Sequence, residues 1–169
     1  MKIFIHNKDI ITLTEADTIV LPVDGSGPGL EGNTARRFMK HIGIEHMYEM
    51  YAPPPYYPFN GEAYWSQIAG VFDNTHFEWI CCLGFLGHAA EASHKSTMRA
   101  ALRDMLSSVG GDVGRRLATP ILTGGPRIAP VDAIYVMMEE AEKCTTKGAE
   151  LHIAEIDPER FKLLQQIVR

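Results

Sequence analysis

With 169 residues, 46% of them hydrophobic and 22% charged, the chain is long enough for one domain with a single sizeable core and has the composition of a globular protein. A formal net charge of -5 excludes a general nucleic-acid binder, whose phosphate contacts need a basic surface, but not the binding of one small anion in a local pocket. Three cysteines, two of them adjacent as Cys81-Cys82, make no disulfide framework and suit a reducing compartment. No apolar stretch reaches membrane-spanning length, and Met1 to Phe4 passes into strand pattern without a signal peptide, so the expected location is cytoplasmic, with no membrane partner.

In chain order, Ile3-Phe4-Ile5 and then Ile10-Ile11 with Leu13 read as short opening strands, separated by a turn at Asn7-Lys8. Thr18 to Val23 is a nearly continuous apolar run, the pattern of a strand buried on both faces. Asp24 to Gly32 holds four glycines and a proline and is irregular. Asn33 caps a helix to about His41, with Gly43 past its end. Tyr51 to Asn60, with four prolines, is an extended excursion. Its aromatics Tyr56, Tyr57 and Phe59, with Tyr64 and Trp65, either wall a pocket for a base or pack the excursion down.

Glu62 to Ala69 and Phe77 to Leu83 read as two further strands that turn at Asp73-Asn74. A helix follows within Gly87 to Val109, its apolar face made by Met98, Ala101, Leu102, Met105, Leu106 and Val109 and its end marked by Gly110-Gly111. Leu117 to Leu122 is an apolar strand that runs into Thr123-Gly124-Gly125-Pro126. The next helix starts near Pro130 with Val131, Ile134, Tyr135, Met138 and Ala141 as its inner stripe. Leu151 to Ile156 is a last strand, and Asp157-Pro158 opens a final helix with Phe161, Leu164, Ile167 and Val168 facing inward. Strands alternating with helices predict a single α/β domain over residues 1–169, a three-layer α/β/α sandwich around a central mixed sheet.

Two glycine turns, Asp24 to Gly32 and Thr123 to Pro126, each follow an apolar strand and precede a helix. Glycine lets backbone approach a ligand, and free N–H groups at a helix start favour an anion, so the two loops are expected to face one cleft at the carboxyl ends of the strands. Gly27 to Gly32 formally fits GxGxxG. A dinucleotide fold would then place an acidic strand end about twenty residues on, where the proline-rich stretch stands instead. His76 and Glu78 near Cys81-Cys82 lack the spaced cysteine pair that zinc chelation needs, and His88 and His94 lie on poorly matched helix faces. No metal or cofactor is expected.

The order of these segments resembles that of macro domains, which recognise ADP-ribose and its derivatives. Asp9-Ile10 with Asp17 to Val20, Gly61-Glu62-Ala63, Leu83-Gly84, and Leu117 to Pro120 with Thr123-Gly124 carry the resemblance over nearly the whole chain. It implies that Asp9 sits by an adenine amine and that Asp24, Gly25, Ser26, Gly27 and Gly29 wrap the distal ribose and phosphate. Thr123, Gly124, Gly125 and Arg127 would bind the diphosphate from the other side. Glu31 matches the acidic residue with which some ADP-ribosyl hydrolases position or activate water, with Asp24 beside it. The chain departs from the family in carrying Leu21-Pro22-Val23-Asp24 where Asn-Ala-Ala-Asn is usual, and Pro126-Arg127 where an aliphatic and an aromatic residue are usual. A guanidinium at Arg127 would restore the donors and charge that Pro28, Pro126 and Asp24 remove. The expected function is binding of a nucleotide or ADP-ribose-like ligand, with or without hydrolysis. The alternative is an interaction module that kept this fold, lost the pocket, and meets a protein partner through residues 51–65.

Overall fold

The structure, a computed structural model, describes residues 1–24, 33–43, 64–69, 72–86, 94–111, 113–124 and 127–168. Strands β1 (Lys2–His6), β2 (Thr18–Asp24), β3 (Tyr64–Ala69), β4 (Trp79–Leu86), β5 (Arg116–Thr119) and β6 (Glu150–Ala154) form one sheet in the order β1-β6-β5-β2-β4-β3. All neighbouring pairs are parallel except β3–β4, so the sheet is mixed as expected. Helices α1 (Asn33–His41), α2 (His94–Ser107), α3 (Pro130–Lys143) and α4 (Pro158–Ile167) complete the layers. No helix among the described residues is long and apolar enough to cross a membrane.

Alternation along the central strands supplies two cores. Val20, Cys81, Leu83 and Leu117 face one side, packed with α2, α3 and α4; Ile19, Leu21, Ile80, Cys82 and Ala118 face the other, packed with α1. Both faces of β2 and β4 are therefore covered, which is why their sequences lack polar alternation. The apolar positions expected on α2 are all buried. On α4, Asp157 caps the first turn by accepting the Arg160 N–H at 2.9 Å, and Leu164 is its buried anchor.

Three expectations are corrected. Ile10 to Leu13 is not a second strand: Ile10–Thr12 is a single 3-10 turn. Asp9 accepts the Ile11 N–H at 3.1 Å through its side chain and the Thr12 hydroxyl at 2.8 Å through its carbonyl, and these local bonds take the groups a strand would pair. The last strand ends at Ala154, and Ile156 is 60% exposed. On α3 the buried face is Ala133, Ile134, Val136, Met137, Glu140 and Ala141, while Val131 and Tyr135 are 40% and 51% exposed. The buried face is the one on which Ala133, Ile134, Val136, Met137 and Ala141 enter the core, and Glu140 beside them is buried with its charge met by Arg99, Arg103 and Lys143.

Candidate functional site

β2 and β5 are neighbours in the sheet but lead to opposite faces. β2 runs toward α1 on one side, and β5 runs into α3 on the other. A crevice opens at the carboxyl ends of strands wherever connections diverge in this way. The cavity here has a volume of about 540 Å³. Its floor is Pro22 and Val23 at the end of β2 and Pro120 and Ile121 after β5. Thr123 and Gly124 form one wall and Asn33, Thr34 and Arg37 of α1 another. Lys8, Asp9 and Ile10 after β1 meet Ala154, Glu155, Ile156 and Arg160 around β6 and α4.

Local chemistry explains these placements. Pro120 has no N–H to continue the ladder, so β5 stops at Thr119 and the chain turns toward the cavity. Gly124 then sits at φ +60°, a conformation that costs a side-chain-bearing residue energy. The Ile128 N–H donates to the Thr123 carbonyl at 3.0 Å, closing the loop before α3. Glu155 is held by its own N–H, donating to the His6 carbonyl at 3.0 Å, and its Oε1 accepts the Asp157 N–H at 2.9 Å.

The charges lining the cavity are mostly paired. Lys8 Nζ donates to both Glu15 oxygens, at 2.9 and 3.2 Å. Arg37 donates from Nη2 to Asp9 Oδ1 at 3.0 Å and from Nη1 to Oδ2. Burial pushes the Asp9 carboxyl up, but the hydrogen bonds and charge of Arg37 and the Ile11 N–H outweigh it and hold the group below its ordinary range. The Arg160 guanidinium lines the cavity with no partner among the described residues.

Of the residues singled out from the sequence, Asp9, Thr123 and Gly124 line this one cavity. Asp24 is the last residue of β2, opposite Leu86, where the pairing register shifts. Arg127 is exposed and is not among the lining residues. Gly25, Ser26, Gly27, Gly29, Glu31 and Gly125 lie outside the described residues, as does the stretch 51–63. Arg37 and Arg160 were missed. Arg160 lies in the first turn of α4 and Arg37 in the second turn of α1, both helices that follow strands bordering the crevice. His76 lies before β4, at the far end of the sheet, bonded to the Ala16 carbonyl at 3.0 Å. Burial, with the neighbouring Cys82, pushes the Cys81 thiol well above its ordinary value, which leaves it without nucleophilic character.

No family model and no curated protein matches the chain in sequence. Solved structures do match its fold. An Oceanobacillus iheyensis macrodomain superimposes with a TM-score of 0.66 at 14% identity, covering 97% of this chain and 88% of that one. A Trypanosoma brucei macrodomain in complex with ADP-ribose gives 0.69 at 16%, over 99% of this chain and 69% of that one. The Thermosipho africanus DarTG structure in complex with ADP-ribose gives 0.67 at 15%, over 97% of this chain and 46% of that one. The chain has the macrodomain fold.

Proposed function

We propose that this macrodomain-fold chain binds ADP-ribose or a related nucleotide in the cavity at the carboxyl ends of β2 and β5. The observation that carries the reading is the 540 Å³ cavity at the point where β2 and β5 diverge, lined by Asp9, Thr123 and Gly124 together. Two structures of the same fold hold ADP-ribose, which supports that ligand class. In this reading Asp9 stands at the base end. The loop from Asp24 through Gly29 wraps a ribose and a phosphate, and Thr123 to Arg127 receive the diphosphate. An open cavity favours a ligand over the interaction module, which expects a filled cleft. Hydrolysis, if the chain retains it, falls to Glu31 as general base with Asp24 beside it. Calorimetry with ADP-ribose, NAD, ADP and a cyclic dinucleotide tests the binding. Heat that saturates with at least one of them is expected, and none with any at millimolar concentration would remove the reading.

A further inference from the structure

We infer that Arg160 reads the negative charge of the ligand, meeting a phosphate from the wall formed by β6 and α4; this rests on the nucleotide reading above. Among the described residues, three cations and two carboxylates line the cavity: Lys8, Arg37 and Arg160 against Asp9 and Glu155. Lys8 is matched by Glu15, and Arg37 by Asp9. Glu155 Oε1 accepts the Asp157 N–H at 2.9 Å, and Asp157 Oδ1 accepts the Arg160 backbone N–H at 2.9 Å. These two acids, close to Arg160 in the chain, are thus engaged with backbone. Arg160 is left as the lining cation whose side chain has no partner among the described residues.

Fold stability gives no reason for a cation at this place. Arg160 stands in the first turn of α4, where the positive end of the helix dipole disfavours it. Glu159 precedes it, but successive side chains on a helix do not face each other, and Glu159 is not among the lining residues. A chain of formal net charge -5 therefore keeps one unmatched positive charge in the wall of its cavity. Low-dielectric walls focus such a charge on whatever enters. A guanidinium stays charged at any working pH and donates parallel N–H bonds to phosphate oxygens, so a phosphate is the group that suits it. Thr123 and Gly124 follow β5, the neighbour of β6, and border the same cavity. Their backbone is neutral, and Arg160 adds the charge it lacks. Arg127, the cation expected in this role from the sequence, does not line the cavity.

The test is calorimetry of the full chain with ADP-ribose and with ADP, at low and at raised salt, for the natural protein, Arg160→Ala and Arg160→Lys. Arg160→Ala is expected to bind about tenfold or more weakly, the effect of losing a hydrogen bond to a charged group. Arg160→Lys, which keeps the charge without the planar fork, should recover part of that loss. Affinity of the natural chain should fall as salt rises, and that of Arg160→Ala should fall less, because a screened attraction has gone. The melting temperature of the free protein should not move, since the guanidinium has no bond to lose. Unchanged affinity in Arg160→Ala overturns the inference and leaves nucleotide binding standing. So does a loss that Arg160→Lys does not relieve and that keeps its full salt dependence, which would assign the contact to the uncharged stem. If neither nucleotide binds the natural chain, the inference falls, and with no heat from NAD or the cyclic dinucleotide the nucleotide reading falls with it.

Discussion

Arg103 on α2 lays Nε and Nη2 on the two carboxylate oxygens of Glu140 on α3, at 2.9 and 3.1 Å. Arg99 and Lys143 add bonds to Oε1 at 2.9 and 2.8 Å, and the Glu140 side chain has no exposed surface. The Arg103 bonds, helped by Lys143 and Arg99 against the cost of burial, hold the carboxyl at about 2. The network joins α2 to α3 and lies away from the cavity, so its role is in stability.

Glu140→Gln should destabilise the chain by about 1.5–3 kcal/mol at pH 7, the range for hydrogen bonds to charged groups. The pH dependence has a definite sign. The folded carboxyl titrates at about 2 against an ordinary 4.5, so between these values the unfolded chain binds more protons. The stabilisation is complete above 4.5 and is lost as pH falls to about 2. Urea unfolding across that interval checks this: the gap between the two proteins should close in acid, and a constant gap would remove Glu140 as its source.

His6 and His152 face each other ring to ring, Nε2 to Nδ1 at 2.9 Å. Burial and then the charge of His152 lower the His6 pKa; Glu15 opposes this and Lys8 adds to it. A lowered folded pKa means that the unfolded chain takes up the proton first, so stability should fall as pH drops below 6.5. Thermal unfolding of His6→Gln should show a shallower decline than the natural chain between pH 7 and pH 5. Parallel curves would assign the decline to other groups.

A Cβ at Gly114 would meet Asp17 Oδ1 at 2.2 Å and Thr18 Oγ1 at 2.3 Å. Asp17 Oδ1 accepts from the Thr18 hydroxyl at 2.8 Å and from the Arg116 N–H at 3.3 Å, tying the starts of β2 and β5 together. Gly114→Ala should cost about 1–3 kcal/mol, the usual range for overpacking. Because the clash lies at the opposite end of the strands from the cavity, ligand affinity below the melting temperature should not change. A neutral melting curve would mean that this corner opens without cost.

Arg127 is exposed beside the loop that ends at Gly124. If it reaches a ligand phosphate, Arg127→Ala should weaken nucleotide binding by about 1.5–3 kcal/mol with little change in the melting temperature of the free protein. Equal affinity would leave the loop backbone as the phosphate donor on this side.

Glu31→Gln should abolish any ADP-ribosyl hydrolysis and leave binding nearly intact, since the amide keeps the shape but cannot take a proton. Product release measured by chromatography decides it, and equal rates would exclude Glu31 as the base.

The sequence by itself determined the elements and their alternation. The apolar run of Thr18 to Val23, the three-four repeat of Met98 to Val109 and the Asp157-Pro158 cap are local signals, and the structure places β2, α2 and α4 on them. It also pointed to the glycine turn after β5, whose Thr123 and Gly124 line the cavity, while Asp9 in the same cavity was marked only by the resemblance to macro domains. Only the tertiary structure decided that the buried face of α3 includes the charged Glu140, because its partners Arg99 and Arg103 lie about forty residues away and no periodicity within the helix records them. Nor could a pattern show that Arg37 closes on Asp9. The two are brought together where the turn after β1, through Ile10 and Leu13, shares a core with Ala35 and Phe38 of α1, and the bond belongs to that packing rather than to either segment.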